Sequence, residues 1–410
     1  MDKNLVVTLG CRLNYWESNK IYQLLKNSKK KNFLVFNTCS VTNEAIKNSI
    51  KKIKFYSKKF PNTTIVVTGC GVESDYELFK SLPEVSEVVG NHEKLSEKSW
   101  SFIKTNTGEA KRIKIEKYTK KENPSNSNVR KFVKIQSGCD HSCTFCIIPS
   151  CRGGSISQKT SIINKEISEN LNKGVKEIIL TGVDITAWGQ DFKKPEALGN
   201  LLENIFSNNK NLKRLRLSSI DAAEFDDRLL DLIKNEKRLM PHFHFSLQSL
   251  DDMILKRMKR RHNVSQTIEL IEKIRKFSSS STFGADFITG FPTETEKMFY
   301  NTYNLVKKLK ISHLHVFPYS AKDGTKAARM PQLPVEVRRE RAKELRRLGK
   351  ENFLETLELF VKKKHAILVE DNNGRGKTEN NLPVDVNLCE KGNIFNYKPT
   401  KVNKEKLCLY

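Results

Sequence analysis

Three cysteines spaced x3 and x2, in Cys139-Asp140-His141-Ser142-Cys143-Thr144-Phe145-Cys146, constrain this chain more than any other feature. A loop of that size wraps three thiolates around one corner of a compact iron–sulfur cluster. It holds three irons and leaves the fourth open to a small molecule. The alternative is zinc, but structural zinc takes four ligands, usually as two separated pairs. No fourth Cys or His lies at a natural distance, although His141 and Cys151 are near. The start, Met1-Asp2-Lys3-Asn4, carries no apolar leader, and no stretch approaches the ~20 apolar residues of a membrane span. A cytoplasmic protein is expected, where disulfides are rare and clustered cysteines mean metal or redox chemistry.

The surrounding pattern predicts an α/β fold. Strand-like runs Leu5–Leu9, Phe33–Phe36, Thr64–Val67 and Glu87–Val89 alternate with helical stretches such as Tyr15–Lys26 and Asn43–Lys58. That alternation predicts an open parallel sheet over residues 1–104. Residues 105–128 are polar and read as a linker. Six further strand candidates are Lys131–Gln136, Glu177–Leu180, Lys213–Leu217, His242–Leu247, Gly284–Ile288 and His313–Pro318. With helical patterns between them, they predict a curved or partial parallel barrel over 129–356. Its active site belongs at the C-terminal ends of the strands. A helix from Pro334 to Lys350 carries Arg338, Arg339, Arg341, Arg346 and Arg347. The β-like runs Ala366–Val369 and Val384–Leu388 predict a small β-barrel over 357–410.

The three remaining clustered thiols lie far apart in sequence, yet Cys11, Cys39 and Cys70 each follow an apolar strand. Parallel strands bring their C-terminal ends to one edge of a sheet, so these three converge on one point. Gly10, Gly69 and Gly71 allow close backbone approach there. The alternative is three unrelated core cysteines. Convergence predicts a second three-cysteine cluster, so the candidate metal ligands are Cys11, Cys39, Cys70, Cys139, Cys143 and Cys146. Lys and Arg number 73 against 47 Asp and Glu, a net charge of +26. That excess favours a polyanionic partner, first of all RNA or DNA. The basic run Lys256–His262 and the Arg-rich helix read as phosphate contacts or as solvated surface.

The x3–x2 triad with Phe145 before its last cysteine resembles the radical S-adenosylmethionine (SAM) superfamily. The resemblance implies that Cys139, Cys143 and Cys146 hold a catalytic 4Fe–4S cluster whose open iron chelates SAM, which is cleaved to a 5′-deoxyadenosyl radical. Thr8–Asn14, Asn37–Asn43 and Thr68–Gly71, placed before such a triad, resemble the methylthiotransferase family, and the match spans nearly the whole chain. His315–Ser320, Asp323-Gly324-Thr325 and Ala327–Pro331 are most similar to the branch acting on N6-threonylcarbamoyladenosine of tRNA. The tail around Gly374–Pro383 resembles the TRAM domain, a small RNA-binding β-barrel.

By that resemblance the chain uses two 4Fe–4S clusters and SAM to place a methylthio group on C2 of the adenine next to the anticodon. It would draw on an electron donor such as flavodoxin or ferredoxin and on a sulfur source. Further cofactor-binding candidates end the barrel strands: Gly182 and Asp184 after the second, Ser218 after the third, Gln248 after the fourth, Gly290 after the fifth, with Phe145 in the triad loop. Ordinary turns and strand-end caps are the alternative for each. Arg152-Gly153-Gly154 departs from relatives that carry more arginines there, and Cys151 sits where a small residue is usual. Two nearby activities stay open, on isopentenyladenosine of tRNA or on an aspartate of a ribosomal protein. A rival of another class is a non-catalytic iron–sulfur RNA-binding protein.

Overall fold

The computed structural model describes residues 4–27, 32–101, 103, 129–386 and 390–410. The linker expected over 105–128 and Cys389 lie outside them. The chain forms two compact units, which do not follow the sequence in order. One takes Met1–Asn126 together with Ser137–Gly154 and Ser320–Thr325, and the other takes the remainder.

In the first unit, β1 (Leu5–Thr8), β2 (Phe33–Thr38), β3 (Thr64–Gly69) and β4 (Glu87–Val88) form one parallel sheet in that order. Alternation along the strands sorts their apolar side chains to two faces. Leu5, Val7, Leu34, Phe36, Ile65 and Val67 pack with Ile53 and Tyr56 of α2 (Asn43–Lys59). Val6, Val35 and Val66 pack with Ile21 and Leu25 of α1 (Arg12–Asn27). Both faces are covered, so the strands read as continuous apolar runs. Cys70 opens the short helix α3 (Cys70–Ser74) directly after β3, and α4 (Ile148–Arg152) follows the cysteine triad.

The second unit holds β5 (Arg130–Lys134), β6 (Glu177–Thr181) and β7 (Arg214–Leu217) as one parallel sheet. A second parallel sheet runs β8 (Ser219–Ile220), β9 (His242–Gln248), β10 (Thr282–Thr289), β11 (His313–Pro318). The third expected barrel strand is thus split at Ser218, pairing backward through β7 and forward through β8. Helices between the strands bury Ile163, Leu201, Leu229, Ile271 and Phe299 in one core with the strands. This is an open (β/α)6 barrel. At the foot of β6, buried Glu177 takes Arg130 at 2.7 Å, Arg214 at 2.9 Å and Arg216 at 3.2 Å.

The helix expected to end at Lys350 runs on as α5 (Val335–Phe360). Its buried stripe continues through Asn352 and Thr356, polar residues that interrupt the apolar pattern. Asn352 is satisfied inside, donating to the carbonyls of Val306 and Ile311. Beyond it, β12 (His365–Val369), β13 (Arg375–Thr378), β14 (Pro383–Asp385), β15 (Ile394–Tyr397), β16 (Val402–Asn403) and β17 (Cys408–Leu409) form a small sheet in the order β15-β12-β13-β14-β17-β16. Arg214 and Arg216 donate to the carbonyls of Thr378 and Glu379, fastening this sheet to the barrel's foot.

Candidate active site

Parallel pairing puts Thr8 opposite Asn37 and Thr38 opposite Gly69, so β1, β2 and β3 end together. Cys11, Cys39 and Cys70 follow those ends. Gly10 has φ +98°, and a Cβ there would fall 2.6 Å from Cys39 Cβ and 2.9 Å from its Sγ. Gly69 has φ +101°, and its Cβ would meet the Thr38 carbonyl at 2.5 Å. Only glycine fits either position without displacing the cysteine loops. Cys39 and Cys70 are buried, whereas Cys11 is exposed. Burial pushes the Cys70 thiol up to about 12, with the neighbouring Arg152 and Lys94 cations opposing. The Cys39 thiol rises for the same reason, and the nearby Cys11 sulfur raises both.

Beneath these thiols lies a buried polar network. Arg152, only 4% exposed, points its Nε at Cys70 Sγ at 3.2 Å. Its other nitrogens donate to Glu17 Oε1 at 2.7 Å and Asn14 Oδ1 at 2.7 Å. Lys94, fully buried, donates to Glu17 Oε2 at 2.6 Å and Asn37 Oδ1 at 3.2 Å. Burial alone would raise the Glu17 carboxyl; Lys94 and Arg152 override it and hold it at about 2. One carboxylate thus faces two cations. The surplus positive charge lies beside Cys70, where it opposes the effect of burial on the thiol.

The triad loop belongs to the same unit. Cys139 N donates to Gly153 O at 3.1 Å and Cys146 N to Cys143 O at 3.1 Å. Gly138 makes the loop's base possible, since a Cβ there would collide with Gly154 O at 1.8 Å. Cys139, Cys143, Cys146 and Phe145 are all half-buried. The short helix α4 returns from the triad to the N-terminal sheet. There Cys151 Sγ lies 3.6 Å from Ser40 Oγ, and its carbonyl accepts from Asn91 at 2.8 Å.

In the barrel unit, Gln136 Oε1 accepts from the backbone of Val183 at 3.0 Å and Asp184 at 2.9 Å. A Cβ on Gly182 would strike Gln136 O at 2.9 Å, so the glycine serves that packing. Asp184 accepts from Thr186 Oγ1 at 2.8 Å. Ser218 Oγ is buried and has no hydrogen-bond partner among the described residues. Gln248 has φ +67° at an irregularity in β9. Gly290 admits the Arg338 side chain of α5, and its N–H donates to Glu294 at 2.8 Å.

Several of the basic residues singled out in the sequence are tied down within the fold. Arg260 bonds Asp221 and the Ser246 carbonyl, and His262 is buried. Arg338, Arg341 and Arg346 bond Leu333 O, Glu294 and Val316 O. They are structural here. Sequence reasoning also missed the Glu17 network. Its signal is legible: Leu13, Glu17, Ile21 and Leu25 form one i, i+4 stripe along α1, and a carboxylate on a buried stripe requires a buried cation.

Residues 133–306 match the model of the Radical SAM superfamily, and residues 3–90 match that of Uncharacterized protein family UPF0004. The Rickettsia prowazekii (strain Madrid E) protein named threonylcarbamoyladenosine tRNA methylthiotransferase MtaB is 43% identical over 95% of this chain and 93% of its own length. The Bacillus subtilis (strain 168) protein of the same name is 34% identical, over 82% of this chain and 78% of its own. Among solved structures, the radical S-adenosylmethionine methyltransferase TsrM from Kitasatospora setae, with cobalamin and a [4Fe-4S] cluster, matches with a TM-score of 0.53 at 11% identity. The match covers 80% of this chain and 77% of that one, a likeness of fold. Membership of the radical-SAM superfamily implies a 4Fe–4S cluster and SAM, and a half-buried loop of three thiols suits that cluster. The chain belongs to the radical-SAM methylthiotransferase family.

Proposed function

We propose that this protein is a tRNA methylthiotransferase that converts N6-threonylcarbamoyladenosine beside the anticodon to its 2-methylthio form. The observation that carries this reading is the likeness to the Rickettsia protein of that name over nearly the whole of both chains. Cys139, Cys143 and Cys146 would hold the catalytic cluster, and Cys11, Cys39 and Cys70 a second. Bound there, cluster and SAM supply radical chemistry for a C–H bond with no acidic proton, which acid–base catalysis cannot reach.

The chain's own residues do the rest. Gln136 fixes the backbone around Asp184, whose carboxylate would orient the cofactor's amino group. The unpartnered Ser218 hydroxyl and the strained Gln248 offer polar contacts at the strand ends, with Gly182 and Gly290 shaping the surroundings; Phe145 serves within the triad loop. Arg152 and Lys94 oppose the burial that raises the Cys70 thiol, easing formation of the thiolate that ligates iron. The domain division follows the same reading: an N-terminal methylthiotransferase domain, a radical-SAM core and a TRAM-like RNA-binding domain. An electron donor, a sulfur source and a cytoplasmic location belong to it as well. No helix among the described residues is long and apolar enough to cross a membrane.

The test is anaerobic turnover with tRNA carrying threonylcarbamoyladenosine or isopentenyladenosine, read by mass spectrometry of nucleosides. Methylthio product from the first alone supports the reading, and product only from the second contradicts it. Absence of 5′-deoxyadenosine under reduction with SAM would favour a non-catalytic RNA-binding protein.

A further inference from the structure

Three adjacent parallel strands of the barrel each contribute one side chain to a polar cluster outside the cysteine sites. Register places His244 of β9 opposite Gly284 of β10, and Asp286 of β10 opposite His315 of β11. His244 Nε2 and His315 Nδ1 each lie 3.0 Å from the same atom, Asp286 Oδ1. The two imidazoles are 4.6 Å apart. Gly284 makes room for this, because a Cβ there would sit 2.4 Å from His244 Nδ1.

The cluster is graded from inside to outside. His244 is 3% exposed, Asp286 22% and His315 55%. The buried end therefore anchors the carboxylate, and the carboxylate fixes the outer ring through Nδ1. Nε2 of His315 is left to act outward, the arrangement in which an acid orients an imidazole toward a ligand. Two residues further along β11, and so on the same strand face, Phe317 is 41% exposed. The side chains alternate, with Val316 between them turned into the core. An exposed phenyl ring and an acid-braced imidazole thus stand side by side, roughly 7 Å apart along the strand. Unstacked bases of RNA are bound by stacking on such rings and by hydrogen bonds at their edges.

We propose that this face of β11 recognises the modified base itself: Phe317 stacks on the purine, and His315, braced by Asp286 and His244, takes the carboxylate of the threonyl substituent. The proposal rests on the activity proposed above and names the residues that select its substrate. The threonyl carboxylate is the one charged group that separates this base from an isopentenyl-bearing one. The matching partner is an imidazole that donates from both ring nitrogens, Nδ1 to Asp286 and Nε2 to the threonyl carboxylate. Asp286 is itself held well below the usual carboxylate range, the two imidazoles overriding the effect of its burial.

The test measures binding of anticodon stem-loop RNAs to the full-length, cluster-loaded protein. One RNA carries N6-threonylcarbamoyladenosine and the other its methyl ester. In the wild type, the ester should bind at least ~10-fold more weakly, the size of one lost charged contact. In His315→Ala that difference should vanish, and in His315→Gln it should return in part. Phe317→Leu should weaken both RNAs alike. Equal binding of acid and ester by the wild type, or an ester penalty that survives His315→Ala, overturns the proposal. A stoichiometric metal other than iron, present in the wild type and lost in His315→Ala, would make the cluster a metal site and also overturn it. Failure of the wild type to convert the threonylcarbamoyl stem-loop would instead strike the underlying activity.

Discussion

The two cysteine groups of the N-terminal unit are built by opposite means. Cys139, Cys143 and Cys146 lie within one half-buried loop, closed by Gly138 against Gly154. Cys11, Cys39 and Cys70 come from three strand ends and exist as a group only when β1, β2 and β3 pair in register. The first group is a property of local spacing. The second is a property of the folded sheet, and one of its thiols, Cys70, lies against a buried network of Glu17, Arg152 and Lys94. A locally built site survives damage elsewhere, whereas a topologically built one is coupled to the stability of the sheet beneath it.

The largest effects should separate the groups outright. Cys143→Ala should abolish 5′-deoxyadenosine under anaerobic reduction with SAM. Cys39→Ala should retain it while losing the methylthio nucleoside, both read by chromatography with mass detection. Loss of SAM cleavage in Cys39→Ala would erase the distinction. Next comes Glu17→Gln, which leaves Arg152 and Lys94 buried without their anion. It should cost about 3–5 kcal/mol in denaturant unfolding. The same network makes a pH prediction. Because Glu17 is held at about 2 from an ordinary 4.5, its contribution is full above about 4.5 and is lost as pH falls toward 2. The acid unfolding midpoint of Glu17→Gln should therefore lose that dependence.

Smaller effects should fall on the strand-end group alone. Gly10→Ala forces a methyl against Cys39 at a positive φ and should cost about 1–3 kcal/mol. Iron reconstituted at that site should drop while SAM cleavage by the triad persists. Thr42→Ala removes the N-cap of α2, whose side chain accepts from Ala45 N, and should cost about 1 kcal/mol in thermal unfolding. An equal loss of SAM cleavage and methylthiolation in either variant would mean that the two groups are not independent.

What the sequence made legible follows the same division. Local periodicity placed the four N-terminal strands and the six barrel strands, because apolar runs are short-range signals. It did not place the break at Ser218 or the extension of α5 to Phe360. The first is set by which neighbour each half-strand pairs with, and the second by Asn352, whose partners lie far away in sequence. The cysteines stood out by their chemistry. Arg152 did not, because its partners Glu17 and Cys70 are 135 and 82 residues away. Net charge pointed to a polyanion, but it could not tell the outward arginines from Arg260, Arg338 and Arg341, which bind carbonyls and carboxylates inside the fold.

The most direct measurement is iron content with Mössbauer spectroscopy on two triple variants of the anaerobically reconstituted protein, one lacking Cys11, Cys39 and Cys70 and one lacking Cys139, Cys143 and Cys146. Each should retain one cluster of about four irons, half the wild-type content. A variant that keeps all the iron, or one that loses it all while still folded, would contradict two separate three-thiol sites.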